Sequence, residues 1–304
     1  MTGDRAAGAG HDPVAASPDR APRDWEAGTY ERVATAHAGW GADVLDRLEL
    51  RGDEAVLDAG CGSGKITAQL VHRLPEGRVV GVDGSPSMIA QASRVLPDAV
   101  DLQVQDLVDL VLADPVDVVV SGAVFHWIED HDRLFARIAA VLRPGGRFEA
   151  QCGGAGNIAS VAAAIDRLRT RAPWDVAFTG WDGPWHFAGA EETEERLRRA
   201  GFVDVRAWLE PRAVHAEDGH AYLRTVVLGS HLERLPVEAH DDFVEDVRRE
   251  LVAAGAGEGD AVTLDYVRLN LSARRPADAP APEPLVLDES PETITDRLRG
   301  PADA

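Results

Sequence analysis

Between residues 55 and 152 two hydrophobic rhythms alternate. Short apolar runs at residues 55–58, 78–83, 100–105, 116–121 and 148–152 read as strands. The run at 116–121 is apolar on both faces, as a strand in the middle of a parallel sheet must be. Between the runs, apolar residues recur every third or fourth position. Ile66, Leu70, Val71 and Leu74 mark a helix over 65–74, and similar spacing predicts helices over 87–96 and 132–142. Ser85 is placed to cap the second of these, with Pro86 at its first position. Arg143-Pro144-Gly145-Gly146 closes the third. Alternating strand and helix predict an α/β fold with a doubly wound, mostly parallel sheet.

After Gly153 the rhythm changes. A helix is expected over 157–171, an aromatic-rich loop over 173–187, a helix over 191–200 and a strand over 202–209. Two helices around Pro236 within 215–254 and a last strand over 262–272 follow. The helical pieces at about 157–190 and 215–260 read as lid insertions covering one end of the sheet. Residues 1–23, rich in Ala, Gly, Asp and Pro without periodicity, read as a disordered arm, and residues 276–304 as a Pro- and acid-rich tail. One domain is expected over 24–275.

The chain has 304 residues, with 31 Lys+Arg against 52 Asp+Glu and a formal charge of −21. The tail holds seven acids against two arginines and the arm three against three, so most of that charge belongs to the body. Such a balance offers no broad footprint for nucleic acid or anionic lipid. No uncharged apolar run approaches the ~18 residues of a membrane span. Two cysteines, Cys61 and Cys152, make neither a disulfide framework nor a zinc set, and no cluster has metal-ligand spacing. With no signal-peptide pattern, this points to the cytoplasm.

The densest chemical signal is Asp58-Ala59-Gly60-Cys61-Gly62-Ser63-Gly64-Lys65, a strand end, a glycine cluster and a helix start. Glycines let a ligand lie on bare backbone, and a helix N-terminus favours negative charge. A P-loop would need Gly at Ala59 and Ser or Thr at Ile66, and has neither. A dinucleotide loop would place its third glycine at Lys65, one residue beyond Gly64. What remains is G-x-G-x-G with an acid two residues ahead. Asp83, ending the second strand, lies where a ribose-binding acid belongs in any doubly wound fold, so alone it does not choose between cofactors.

Asp58-Ala59-Gly60-Cys61-Gly62-Ser63-Gly64 resembles motif I of the class I S-adenosylmethionine (SAM) methyltransferases. The resemblance continues in order through Val82-Asp83, Gln105-Asp106-Leu107 and Leu142-Arg143-Pro144-Gly145-Gly146. It implies a seven-stranded sheet with a reversed strand next to the edge, and SAM as cofactor. It also implies cofactor contacts at Asp58, Gly60, Cys61, Gly62, Gly64, Asp83, Gly84, Met88, Asp106, Leu107 and Ser121. Asp58 would meet the cofactor ammonium, directly or through water, or else only organise the loop. Asp83 would accept from the ribose hydroxyls and Asp106 from the adenine amine. Met88 would pack on adenine or belong to the core. Cys61 gets no nucleophilic role.

The segment from Ser121 through Phe125-His126-Trp127 to His131 resembles the S-x-A-x-x-H-W-x-x-D-H segment of a branch that includes trans-aconitate methyltransferases. Gln151-Cys152-Gly153-Gly154 and an N-terminal aromatic set, Trp25, Tyr30 and Trp40, extend the likeness. That branch methylates a carboxylate, which is ionised at neutral pH and needs no base. His126 is expected as acceptor contact or general base, with a histidine bonded to backbone as the alternative. Trp25, Tyr30, Trp127 and Arg268 are the other expected acceptor contacts; His131 and His11 are expected on the surface. Gly229 stands where the branch carries an arginine, which favours a monoanionic or neutral acceptor over a tricarboxylate. Trp174, Phe178, Trp181, Trp185 and Phe187 either wall an apolar pocket or pack the insertion onto the sheet. The expected function is SAM-dependent O-methylation of a small molecule. Carbon or nitrogen methylation, an NAD(P)-dependent oxidoreductase and a non-catalytic SAM-binding protein are the alternatives.

Overall fold

The computed structural model describes residues 43–281. Trp25, Tyr30, Trp40, His11, the arm and the tail beyond 281 lie outside them. Strand β1 (Ala55–Ala59) is buried along its whole length and pairs in parallel with β2 (Arg78–Asp83) and β4 (Val116–Gly122). β3 (Asp101–Val104) adds to β2, and β5 (Leu142–Gly153) adds to β4, both in parallel. β8 (Ala261–Arg274) runs antiparallel to β5, and β6 (Val203–Ala216) closes that edge antiparallel to β8. The order is β3-β2-β1-β4-β5-β8-β6, with the two-residue β7 (Gly257–Glu258) paired to β8. This is the mostly parallel sheet with its reversed strand one in from the edge.

The helices follow the apolar spacing. α1 (Lys65–Arg73) buries Thr67 and Leu70. α2 (Pro86–Val95) is capped by Ser85, whose Oγ accepts from the Met88 amide at 3.2 Å, with Pro86 at the first position. Asp130 caps α3 (His131–Val141) through the Arg133 amide at 3.0 Å. α3 and α5 (Ala190–Arg199) bury Leu134, Phe135, Ile138 and Leu197 against one sheet face, together with Leu57, Val119 and Phe148. On the other face α1 and residues 43–48 enclose Val44, Leu45, Leu70, Val56 and Val118.

A second core sits beyond the sheet. The distal ends of β6 and β8 carry Ala216, Val262, Leu264 and Tyr266. Against them pack α4 (Ala159–Leu168), the one-turn helices α6 (Gly219–Tyr222) and α7 (Gly229–Leu232), and α8 (His240–Ala253). A π-helical turn, Leu223–Val227, joins α6 to α7.

Three boundaries differ from expectation. β6 does not stop at 209 but continues to Ala216, so His215 is strand rather than helix and the second insertion starts after it. Pro211 misleads there. Proline has no amide to donate, yet β6 is the edge strand, where a missing donor is tolerated. Two helical pieces, not one, precede Pro236. The Arg143–Gly146 turn is drawn into the start of β5, where Leu142 already pairs with Val116.

Candidate active site

At the carboxyl ends of β1 and β2 the glycine loop folds down onto the sheet. The Gly60 and Cys61 amides both donate to the Val82 carbonyl, at 2.7 and 3.0 Å. The Gly62 amide donates to Asp83 Oδ2 at 2.9 Å, and the Ser85 amide to Asp83 Oδ1 at 2.8 Å. Gly60 has φ 82°, and a Cβ there would fall 2.2 Å from Val124 Cγ2. Nothing lies within 4 Å of the corresponding point on Gly62, so the loop is tight on one side and bare on the other.

Asp58 is fully buried beneath this loop. Its Oδ2 accepts from Thr67 Oγ at 2.7 Å, while Oδ1 has no hydrogen-bond partner among the described residues. Burial, with nearby Asp83 adding to it, pushes its carboxyl up to about 7 despite the Thr67 bond. Burial, with Asp58 and Asp83 adding, pushes the Cys61 thiol far up, which removes thiolate chemistry there. Asp106 accepts from the Val108 amide at 3.1 Å and caps a short turn holding buried Leu107. Burial raises its carboxyl too. Met88 is buried at the start of α2, and Gly84 is half-buried beside Asp83. The Ser121 hydroxyl donates to the Ala59 carbonyl at 2.6 Å and so ties β4 to β1.

The second half of the site begins where β4 ends. Ala123 takes a left-handed conformation, φ 61°, and its amide donates to the Gln151 carbonyl at 2.7 Å. That bend throws the chain into the turn Phe125–Trp127 and buries His126 between strands and lid. The Gly153 amide at the end of β5 donates to His126 Nδ1 at 3.3 Å. Gly153 pairs in register with Arg268 on β8, which brings His126 and Arg268 to the same strand ends. Arg268 is buried, and its Nε donates to Gln151 Oε1 at 3.4 Å. Gln151 Nε2 donates to Asn270 Oδ1 at 2.9 Å, and Arg47 reaches the same oxygen at 3.1 Å.

The aromatic set divides. Trp174 and Phe178 pack on Phe243 in the lid core, at 5.0 and 5.2 Å between ring centres. Phe187 instead stacks on His126, at 6.0 Å and 28°, and Trp185 stacks on Phe187, at 5.8 Å and 15°. His131 is not on the surface. It is buried, with Nε2 2.9 Å from the Phe125 carbonyl and its ring edge-on to His186. Burial lowers its pKa to about 4. The turn Phe125–Trp127 folds back over the first residue of α3, a position that the helix pattern alone would leave exposed.

Residues 57–150 match the methyltransferase domain family. A trans-aconitate 2-methyltransferase of Methylobacterium nodulans is 32% identical over 83% of this chain and 98% of its own length. The chain belongs to the class I SAM-dependent methyltransferases. A second methyltransferase relative, from Schizosaccharomyces pombe, is 32% identical over 64% of this chain and 82% of its own. Among solved structures, a phosphoethanolamine N-methyltransferase of Haemonchus contortus covers 82% of this methyltransferase and superposes at TM-score 0.56, with 20% identity; the match spans 57% of that protein. The [4+2]-cyclase SpnF superposes at TM-score 0.51 over 79% of this chain and 81% of its own, with 21% identity. The fold therefore does not set the reaction, and the acceptor side must be read from its own residues.

The cofactor of this methyltransferase is SAM, and the donor set suits it. A buried carboxylate oxygen lacking a partner suits an ammonium, bare loop backbone suits a carboxylate, and carboxylates at two strand ends suit hydroxyl and amine donors. Two contributors were not legible in the sequence: Thr67, which holds Asp58, and the Gly153 amide, which holds His126. Thr67 left a faint signal, as a hydroxyl on the apolar face of α1.

Proposed function

We propose that this methyltransferase esterifies a small carboxylic acid, and that His126 holds the acceptor as a hydrogen-bond donor without taking a proton from it. The observation that carries this is the Gly153 amide on His126 Nδ1. A neutral imidazole has one acceptor nitrogen and one donor. With Nδ1 accepting, the ring proton sits on Nε2, and the lone pair a general base would need is engaged. Such a ring serves an acceptor that arrives ionised, as a carboxylate does at pH 7. Phenols and amines would each have a proton to lose.

SAM supplies an electrophilic methyl group on a sulfonium. Asp58 would receive the cofactor ammonium on Oδ1, and the Gly60-Cys61-Gly62-Gly64 backbone its carboxylate. Asp83 and Gly84 would border the ribose, and Asp106, Leu107 and Met88 the adenine. Ser121 acts through the β1 end that it clamps. On the acceptor side, Nε2–H of His126 and the cation of Arg268 would orient one carboxylate, with Trp127 beside them. Trp25 and Tyr30 stay proposed acceptor contacts from the family likeness. The relatives named for trans-aconitate support a carboxylate, and Gly229 favours one with a single negative charge.

A methyl-transfer assay over carboxylic acids, phenols and amines, read by mass, tests this. Methyl esters are the expected products. His126→Gln, which places an amide N–H near the imidazole Nε2, should keep a measurable share of activity. His126→Ala should lose about 10²-fold or more, the scale of one misplaced contact. Exclusive methylation of phenols or amines, or a kcat at saturating SAM that climbs with pH from about 6 to 8 as a histidine base would require, overturns the reading.

A further inference from the structure

We infer that Phe187 is a positioning residue for His126: its ring, stacked on the imidazole, sets the plane in which Nδ1 meets the Gly153 amide. The histidine ring torsion is intrinsically broad, so something must choose its angle. The Gly153 N–H to Nδ1 bond, at 3.3 Å, is at the long end of the range and fixes which nitrogen accepts more firmly than it fixes the ring plane. The Trp127 ring is nearer, at 5.0 Å, but tilted by 39°, whereas Phe187 lies closer to parallel, at 6.0 Å and 28°, and Trp185 backs it at 5.8 Å and 15°. Trp185 in turn rests on His231 in the lid, at 5.0 Å.

Two backbone features fit the same device. The His186 amide, next to Phe187, donates to the His126 carbonyl at 2.8 Å, so the strap and the turn are pinned main chain to main chain. A Cβ on Gly153 would lie 2.8 Å from Phe187 Cε1, so glycine at the end of β5 leaves room for the ring. One residue thus offers the amide that selects which imidazole nitrogen accepts and the space for the ring that fixes the plane. The catalytic consequence rests on the donor role proposed above for His126.

The experiment reads the ring directly. Protein labelled with ¹⁵N-histidine and bound to S-adenosylhomocysteine is compared as wild type, Phe187→Leu, Phe187→Met and Gly153→Ala. The His126 signals are assigned by their loss in His126→Asn. Wild type should show a single tautomer with the proton on Nε2. Both Phe187 variants, and Gly153→Ala through the displaced ring, should show mixed or exchanging tautomers. Their kcat should fall roughly tenfold, as expected for a misoriented contact, while KM for SAM stays within about twofold. Phe187→Tyr, which keeps the flat ring, should behave as wild type. If every Phe187 variant that binds S-adenosylhomocysteine keeps the wild-type His126 signals, the inference is wrong whatever the activity. Mixed tautomers with undiminished methyl transfer would uphold the positioning and instead overturn the donor role of His126.

Discussion

In its proposed cofactor role, Asp58 would oppose stability and serve binding. Its carboxyl is buried, half-satisfied by Thr67 and raised to about 7. Between its unfolded value of 3.8 and about 7, the folded protein holds a proton that the unfolded chain has released. Stability of the cofactor-free protein from this group therefore falls as pH rises through that window, and the penalty is complete above it. Asp58→Asn should raise the melting temperature of the cofactor-free protein more at pH 8 than at pH 5, measured against wild type. The same variant should bind S-adenosylhomocysteine poorly at every pH. In wild type, affinity should weaken towards about tenfold per pH unit below 7, because the proton must leave before an ammonium can take its place. Equal pH slopes for variant and wild type in calorimetry would refute this. Asp58 and Gly60 stand out in the sequence as expected cofactor contacts because their spacing follows the family motif. The Gly153 amide does not, since a backbone donor has no side-chain signature, and His131 is buried rather than exposed because the turn just ahead of it folds back and the distant His186 packs on its ring.

The elements most readable from pattern are those buried on both faces. β1, β2 and β4 emerged within a residue or two because an unbroken apolar run leaves little else to be. β6 was cut short at 209 because its outer half alternates between exposed and half-buried positions and contains Pro211. Only pairing with β8 makes Pro211–Ala216 a strand. Beneath that pair lies a polar row that no periodicity announces: Glu149 and Gln151 on β5, Arg268 and Asn270 on β8, and Arg47 from the segment before β1. Arg47 spans it, bonding Glu149 at 3.2 Å, Asn270 at 3.1 Å and the Ala150 carbonyl at 3.1 Å. Gln151 is its hinge pin, since its amide receives Arg268 and donates to Asn270. Gln151→Leu would remove two buried hydrogen bonds, one of them from the Arg268 cation, at a cost of about 1–3 kcal/mol. Denaturant titration should show that loss, and KM for the carboxylic acid should rise as Arg268 loses its brace. Unchanged stability together with unchanged KM would remove the row from the acceptor site.

Across the whole molecule the charge of −21 works against the proposed acceptor. A carboxylate acceptor would approach through a repulsive field before it met the buried cation of Arg268. Raising ionic strength from about 0.01 to 0.15 M shortens the Debye length from about 30 to 8 Å, which screens the long-range repulsion more than the buried contact. kcat/KM for a carboxylic acid should therefore rise with added salt over that range, while kcat changes little. A fall would mean that a positive local field dominates the approach. The two-core plan explains why the sheet was legible in the sequence and the second core was not. The sheet half repeats one strand-helix rule, whereas the lid sets two longer helices against two one-turn helices joined by a π turn, held by contacts between distant residues. Those lid helices nevertheless stand on β6 and β8, whose inner halves belong to the sheet that carries Gly153 and Arg268. The second core is thus a headpiece on a mast rather than a flap on a hinge. Helices can be exchanged at the top of the mast without altering the register at its foot, so one sheet can be inherited intact by enzymes that differ in what they methylate.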